Sequence, residues 1–466
     1  MLTYILDKRG ADSLRDYLYK CVKQDILDGR LKAGEKLPSK RELAKHLEVS
    51  VVTVENAYAQ LVAEGYVTAR QKKGYYVNKI ETLKLPQKPE QPALIREREE
   101  ESAPTCFVDF KTNSVNAERF PFSVWAKLMR EVITERDTEL LRPAPYNGVL
   151  PLRREIAKFL YNFRGLTVDP EQIVVGAGTE VLYNLIVQLL GRDNVFAVET
   201  PGYSKIADIY TVNAVEKRYV PLDQSGISMK ALRESGANIV HISPAHHYPT
   251  GIVTPIARRQ ELLRWADEES GRYIIEDDYD SEFRFQGRPI PTIQSIDKQE
   301  KVIYVNTFSK TLAPSIRISY MVLPPHLLRE YRKKMGFYVC TVPSFEQYTL
   351  EKFMSTGRFE QHLSRMRKFY KSQRDVLISA IQSSAFRHRV RIMEENAGLH
   401  FILKVETEKS DREIVAGAAE KGVRVACLSE YMLEPDRANE HNLIINYSGI
   451  SGRDVGEAVR RLGEAL

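Results

Sequence analysis

Lys310 sits just past the apolar run Val302-Ile303-Tyr304-Val305, within Thr307-Phe308-Ser309-Lys310-Thr311-Leu312-Ala313-Pro314-Ser315-Ile316-Arg317. A lysine amine held at a strand end can form a Schiff base with an aldehyde, provided that neighbouring groups grip the rest of the ligand. The hydroxyls of Thr307 and Ser309 suit a phosphate, and so does Arg317, whose planar fork makes paired charge-assisted bonds. A solvated strand end would carry the same lysine, so the motif needs company. Tyr273-Ile274-Ile275-Glu276-Asp277-Asp278-Tyr279 supplies it. Side chains alternate along extended backbone, so Asp277 and Tyr279 project to one side. A carboxylate there can keep a ring nitrogen protonated, making the ring an electron sink, and a phenol can bond a ring oxygen. Glu276 and Asp278 are the alternatives, disfavoured by their opposite direction. In Ile173-Val174-Val175-Gly176-Ala177-Gly178-Thr179-Glu180 a strand runs through small residues into a helix. The first N–H groups of that helix, with the Thr179 hydroxyl, make a phosphate cup. Thr200-Pro201-Gly202-Tyr203 follows another strand end and places an aromatic ring where a planar ligand could stack.

These four sites need a scaffold that brings strand ends together. From Cys106 onward short apolar runs (173–175, 195–198, 239–242, 273–275 and 302–305) alternate with amphipathic helical patterns. That texture predicts an α/β domain with a mostly parallel sheet. The chain has 466 residues, room for two to four domains at about 100–200 residues each. With 43% hydrophobic and 28% charged residues it is not a largely disordered chain. No stretch approaches the roughly 18 apolar residues of a membrane span, and residues 1–30 carry charges where a secretory signal has its apolar core. Cys21, Cys106, Cys340 and Cys427 lie far apart, with neither zinc spacing nor disulfide density. His246-His247 lacks a third ligand at sensible spacing, so no metal site is expected. The expected location is cytoplasmic.

The net charge of +6 is unevenly placed. The first 80 residues hold 15 Lys and Arg against 10 Asp and Glu, whereas the other 386 hold 53 against 52. A basic end on a near-neutral body suggests a polyanion partner. Leu14, Leu18, Val22 and Ile26 predict a first helix. Ser39 and Glu42 have capping-box spacing, which starts a second helix at Ser39. Ser50 can cap a third helix over about Val51 to Glu64, with Val54, Tyr58 and Leu61 inward and Gly65 ending it. Residues 66–70 and 74–77 pair as a hairpin around Gln71-Lys72-Lys73. Helix-turn-helix plus wing is a DNA-docking pattern. The leading face of the third helix carries Ser50, Val51, Val52, Thr53 and Asn56, small enough for the major groove, and Lys40, Arg41, Lys45, Lys72 and Lys73 can meet phosphates. Residues 81–105, with Pro86, Pro89, Pro92 and Pro104 and a charge run from Arg96 to Glu101, read as a linker.

The stretch Leu37 to Val77 resembles the winged-helix domain of GntR-type regulators. The resemblance implies that Arg41, Ser50, Thr53 and the wing tip Lys72–Gly74 approach DNA. Family members often place arginines on the recognition helix where this chain has Val51 and Glu55, so apolar contact with thymine methyls and DNA shape are expected instead. Residues 107–466 resemble fold-type I pyridoxal-phosphate enzymes of the class I/II aminotransferase family. The order of the four sites carries the likeness, with Tyr146-Asn147-Gly148 to Leu152-Arg153 and Ser243-Pro244 to Pro249-Thr250-Gly251. It implies Lys310 as the internal aldimine, Asp277 on the pyridine nitrogen, Tyr279 on the 3-oxygen and Tyr203 stacked on the ring. Gly178, Thr179, Thr307, Ser309 and Arg317 would surround the phosphate.

Winged helix (1–80), linker (81–105) and aminotransferase-like domain (106–466), in this order, resemble the MocR subfamily of GntR-type regulators. Two departures from working aminotransferases stand out. The asparagine before their Pro-Thr-Gly turn is Tyr248 here. Their carboxylate-binding arginine, in a strand of the form Arg-x-x-aromatic, corresponds to Ile444 in Leu443-Ile444-Ile445-Asn446-Tyr447. Lys205 lies near the place of a second effector-binding arginine. Without a bidentate anchor an amino-acid carboxylate desolvates with poorer compensation, so steady transaminase turnover is not expected. The expectation is a transcription regulator, not an enzyme. It responds to pyridoxal phosphate or its aldimine with a small amine or amino acid and controls vitamin B6 or amino-acid genes. It should act on operator DNA as a homodimer, head-to-tail by family resemblance. The alternatives are an active aminotransferase with a DNA-binding appendage, and a DNA-binding protein whose larger domain is only a dimerisation scaffold.

Overall fold

The structure is a computed structural model that describes residues 2–4, 12–80, 106–112, 119–285, 290–433 and 439–466. The expected linker, 81–105, lies outside the described residues. Two compact units divide at residue 103.

In the first unit, α1 (Leu14–Leu27), α2 (Lys40–Leu47) and α3 (Val51–Ala63) precede a hairpin of β1 (Val67–Arg70) and β2 (Gly74–Val77). Each helix starts on a serine whose side chain accepts a backbone N–H: Ser13 for α1, Ser39 for α2 and Ser50 for α3. The Ser39–Glu42 capping box is reciprocal, satisfying two helix-end donors at once. Glu48 turns the chain between α2 and α3 in a left-handed conformation. Leu18, Val22, Leu43, Val54, Tyr58 and Leu61 close a core beneath the three helices, and Val67 and Val77 seal it from the hairpin.

The second unit is built on an eight-stranded sheet. After the short β3 (Val108–Asp109) come β4 (Ile173–Gly176), β5 (Val195–Thr200), β6 (Glu216–Asp223), β7 (Gly226–Ile227), β8 (Ile239–Ile242), β9 (Tyr273–Asp277), β10 (Val302–Thr307) and β11 (Ser319–Val322). Their spatial order is β4-β11-β10-β9-β8-β5-β6-β7. Neighbouring pairs from β10 through β6 are parallel, and β11 runs antiparallel between β10 and β4. Alternation sorts the sheet's side chains into layers. Val174, Phe196, Ile239, Ile275, Ile303 and Met321 face one set of helices, whereas Val175, Ala197, Val240, Ile274, Val302 and Tyr320 face others. The strands β4, β5, β8, β9, β10 and β11 are thus buried on both faces, which is why the central runs read as continuously apolar, whereas β6, toward the sheet edge, is largely exposed. A second sheet follows, ordered β12 (Val390–Met393), β13 (His400–Val405), β16 (Asn442–Asn446), β15 (Ala426–Cys427), while β14 (Val423–Arg424) pairs with β3. The helices Arg358–Gln382 and Val455–Ala465 cover one face of that smaller sheet.

Candidate functional site

The carboxyl ends of β4, β5, β8, β9 and β10 meet along one edge of the large sheet, the place where open α/β sheets bind ligands. A cavity of about 410 Å³ opens there. Of the residues singled out above, Lys310, Asp277, Tyr279, Tyr203, Thr179, Thr307, Ser309 and Arg317 line it. Gly178 lies directly behind, at the head of the helix Thr179–Leu190 with φ +96, a conformation glycine adopts readily.

Asp277 ends β9 with its carboxyl group buried. Oδ2 accepts a 2.6 Å bond from the Tyr183 hydroxyl and lies 3.7 Å from His241 Nε2. Oδ1 is buried and has no partner among the described residues. A buried carboxylate oxygen without a donor costs free energy unless a ligand supplies one. Glu276 and Asp278 point elsewhere, as alternation requires. Glu276 accepts the N–H groups of Ile293 and Gln294 at 2.8 and 2.9 Å, while Asp278 is held by Arg164 at 2.7 Å and the Tyr304 hydroxyl at 2.6 Å. Tyr279 Oη lies 3.2 Å from His246 Nδ1, itself 2.9 Å from Asp280. Burial raises the Tyr279 phenol well above its ordinary value, and Asp280 adds to the effect, so it remains a proton donor.

Burial lowers the pKa of the Lys310 amine, with the Asp280 carboxylate partly opposing. A lower pKa leaves more neutral amine, the nucleophilic form. Thr307, the last residue of β10, accepts from Ser319 at 2.8 Å and from the Ser309 N–H at 3.1 Å. Its hydroxyl therefore ties the Lys310 loop to β11. Arg317 leaves that loop in a left-handed conformation and donates to Glu180 and to the Ala177 carbonyl. Tyr203 opens the helix Ser204–Val212 and meets the Tyr248 ring edge-on at 5.8 Å.

Glu199, His247 and Tyr248 also line the cavity, and of these Glu199 carries no sequence signal. Tyr248 bonds Tyr431 at 2.9 Å, and the Gly202 N–H donates to the Tyr431 carbonyl at 3.1 Å, so the segment after β15 reaches the cavity mouth. Glu199 and His247 form a 3.4 Å contact between neutral groups. Burial raises Glu199 to about 8 and lowers His247 to about 3. Ile444 is buried in β16 opposite Ile402 of β13, on the sheet face that also carries His400. His400 packs at 5.3 Å on Tyr248, so that face presents aliphatic carbon and imidazole rather than a guanidinium. His246 and His247 serve as hydrogen-bond partners of Asp280 and Thr250.

In the first unit, Ser50 caps α3 and bonds Thr53, leaving Val51 and Val52 exposed at the helix head. Asn56, Arg41, Lys72 and Lys73 are exposed, and Gly74 follows the wing tip with φ +108. Lys40 is tied to Glu55 of α3. Arg70 stacks over Tyr76 at 4.6 Å and the backbone of Lys36 bridges to Tyr76, placing two further cations at the wing that no motif in the sequence marks.

Comparison with known proteins assigns both units. Residues 107–462 match the family aminotransferase class I and II, and residues 14–77 match bacterial regulatory proteins of the gntR family. An uncharacterised HTH-type transcriptional regulator of Bacillus subtilis, YdeL, is 36% identical over 100% of this chain and 99% of its own. The probable rhizopine catabolism regulatory protein MocR of Rhizobium meliloti is 28% identical, over 99% of this chain and 95% of its own. The chain belongs to the MocR subfamily of GntR-type transcription regulators. A further relative of this MocR-type chain is the pyridoxine biosynthesis transcriptional regulator PdxR of Corynebacterium glutamicum, 29% identical over 92% of this chain and 91% of that one. Among solved structures, a multiple substrate aminotransferase from Thermococcus profundus superposes with a TM-score of 0.69 at 25% identity, covering 78% of this chain and 92% of that one. No helix among the described residues is long and apolar enough to cross a membrane.

Proposed function

We propose that this MocR-type regulator binds pyridoxal phosphate in the 410 Å³ cavity and that occupancy, by the vitamer alone or together with a small amine or amino acid, changes its affinity for operator DNA. The observation that carries the reading is the unpaired Asp277 Oδ1, buried in the cavity that the Lys310 amine also lines. An acceptor without a donor and a deprotonation-prone lysine suit a ligand with a protonated ring nitrogen and an aldehyde. Lys310 would hold the aldehyde carbon, Asp277 the ring nitrogen, Tyr279 the ring oxygen and Tyr203 the ring face. Gly178, Thr179, Ser309 and Arg317 would hold the phosphate, with Thr307 holding the loop that carries Ser309. When bound, the vitamer supplies a carbonyl that condenses with amines and a ring that stabilises negative charge. The cavity wall of neutral Glu199 and His247 adds no charge beside Asp277 near pH 7.

Steady transamination is not part of the proposal. The Ile444 face offers no paired donors to a substrate carboxylate, so binding it there would strip water without replacement. On DNA, Arg41, Lys40, Lys72 and Lys73 would contact phosphates, while Ser50, Thr53, Asn56 and Gly74 approach the grooves. We further propose a cytoplasmic homodimer acting on two half-sites, with genes of vitamin B6 or amino-acid metabolism as targets, the former in line with the name of the Corynebacterium relative. The domain limits 1–80, 81–105 and 106–466 are proposed with it.

The test is a gel shift on the region upstream of the protein's own gene, with and without pyridoxal phosphate, for the wild type and Lys310→Ala. A vitamer-dependent change in the wild type that Lys310→Ala abolishes is the expected result. Borohydride treatment of the vitamer-saturated protein should trap a reduced adduct on Lys310. An unmodified lysine overturns the reading in favour of an inert scaffold, and sustained turnover of an amino donor with a keto acid overturns it in favour of an enzyme.

A further inference from the structure

Two cations at the mouth of the cavity are already engaged by a carboxylate of the same chain. Glu180, the second residue of the helix Thr179–Leu190, accepts from Arg317 Nη2 through Oε2 and from Lys205 Nζ through Oε1. The approach is built into the backbone. A Cβ on Gly178 would run into the Arg317 guanidinium and press on the Glu180 carboxylate, so only glycine lets the two meet there. Arg317 is itself held left-handed at φ +52 where it leaves the Lys310 loop. Glu180 lies at the N-terminal end of its helix, where the helix dipole favours an anion. Burial pushes its carboxyl up, but Lys205, a backbone N–H and Arg317 together outweigh that and hold it at about 2, so it is ionised throughout the physiological range. The same helix end is the proposed phosphate cup. A phosphate entering it finds its guanidinium already paired with an anion.

We propose that Glu180 is an internal anion that competes with the ligand phosphate for Arg317 and so keeps binding of the phosphorylated vitamer weak enough to be reversible. The inference rests on the reading above that Arg317 grips a phosphate. When phosphate takes Arg317, Glu180 keeps Lys205, which sits two residues after Tyr203 on the neighbouring helix, so the carboxylate is never left without a cation. The side chains of Arg317 and Lys205 are 47% and 50% exposed and that of Glu180 25%, so solvent screens the competition and makes it a moderate brake rather than a block. Glu180 thereby becomes a specificity-determining residue. It opposes a ligand that carries phosphate and is indifferent to the same ring without one.

The test is titration of the full-length protein with pyridoxal phosphate and, separately, with pyridoxal, following absorbance, for the wild type, Glu180→Gln and Lys205→Met. Glu180→Gln should tighten pyridoxal phosphate roughly tenfold and change pyridoxal by less than about twofold. Lys205→Met, which leaves Arg317 as the only cation on Glu180 among the described residues, should weaken pyridoxal phosphate several-fold, and inorganic phosphate should bind Glu180→Gln more tightly than the wild type. Unchanged or weaker binding of pyridoxal phosphate by Glu180→Gln, or equal tightening of both vitamers, overturns the inference. If borohydride traps the Lys310 adduct and the Glu180→Gln result is negative, only this inference falls. If no adduct forms in the wild type, the parent reading falls and this one with it.

Discussion

The two units deploy their functional groups in opposite ways. In the first, the groups proposed to meet DNA are mostly exposed, sit at helix heads and a wing tip, and are held by bonds within the unit that span at most the 15 residues between Lys40 and Glu55. In the second, the groups lining the cavity are buried or half-buried and are held by partners far away in sequence. Asp277 is fixed by Tyr183, and Arg317 by Glu180. The first arrangement makes contacts that are individually cheap to lose. The second concentrates its function in a few groups whose loss is costly, because desolvation there has to be compensated by particular partners.

The sharpest way to break this contrast is Asp277→Asn. The amide would turn a donor toward a protonated ring nitrogen, so affinity for pyridoxal phosphate should fall at least about a hundredfold, while the thermal midpoint of the unliganded protein stays the same or rises. Calorimetry on both forms checks it. A midpoint that drops while affinity persists would make Asp277 a structural residue.

Next in size is a pH effect confined to the second unit. Burial raises Glu199 to about 8 from an ordinary 4.5 and lowers His247 to about 3 from 6.5. Between pH 6.5 and 8 His247 is neutral when folded and at most half protonated when unfolded, whereas Glu199 is protonated only when folded. The folded state then binds more protons, so stability declines as pH rises through that window, by about 2 kcal/mol from this group. Glu199→Gln should flatten the decline, as read from urea midpoints at pH 6.5 and 8.

The first unit should answer more gently. Ser50→Ala removes the cap of α3 and should cost about 1 kcal/mol, with weaker operator binding because the helix head frays. Lys72→Ala should lower the slope of log affinity against log salt by about 1 and weaken all sequences alike. A change in base preference would instead place Lys72 in a groove.

These differences also explain what could be read from sequence. Ser39 with Glu42, Ser50 and Gly65 announce themselves because capping is settled within three or four residues, and α2, α3 and the hairpin follow. The apolar runs that become β4, β5, β8, β9 and β10 are legible because strands buried on both faces are continuously apolar. Lys310, Asp277 and Tyr279 stand out as polar groups at strand ends, and the structure brings them to one cavity. What could not be read is pairing across distance. Nothing near residue 180 signals that Glu180 will meet Arg317, 137 positions on, or that Tyr183 will meet Asp277, 94 positions on. Nor does Ser319–Val322 declare that it runs against its neighbours, since one serine and three apolar residues carry no direction.

The buried cluster under α1, α2 and α3 draws all its side chains from positions before 81. A module that supplies its own interior can diverge at its outward residues without asking anything of the larger half's packing. In such a regulator, therefore, substitutions on the outer face of the first unit need no compensating change in the packed interior of the second.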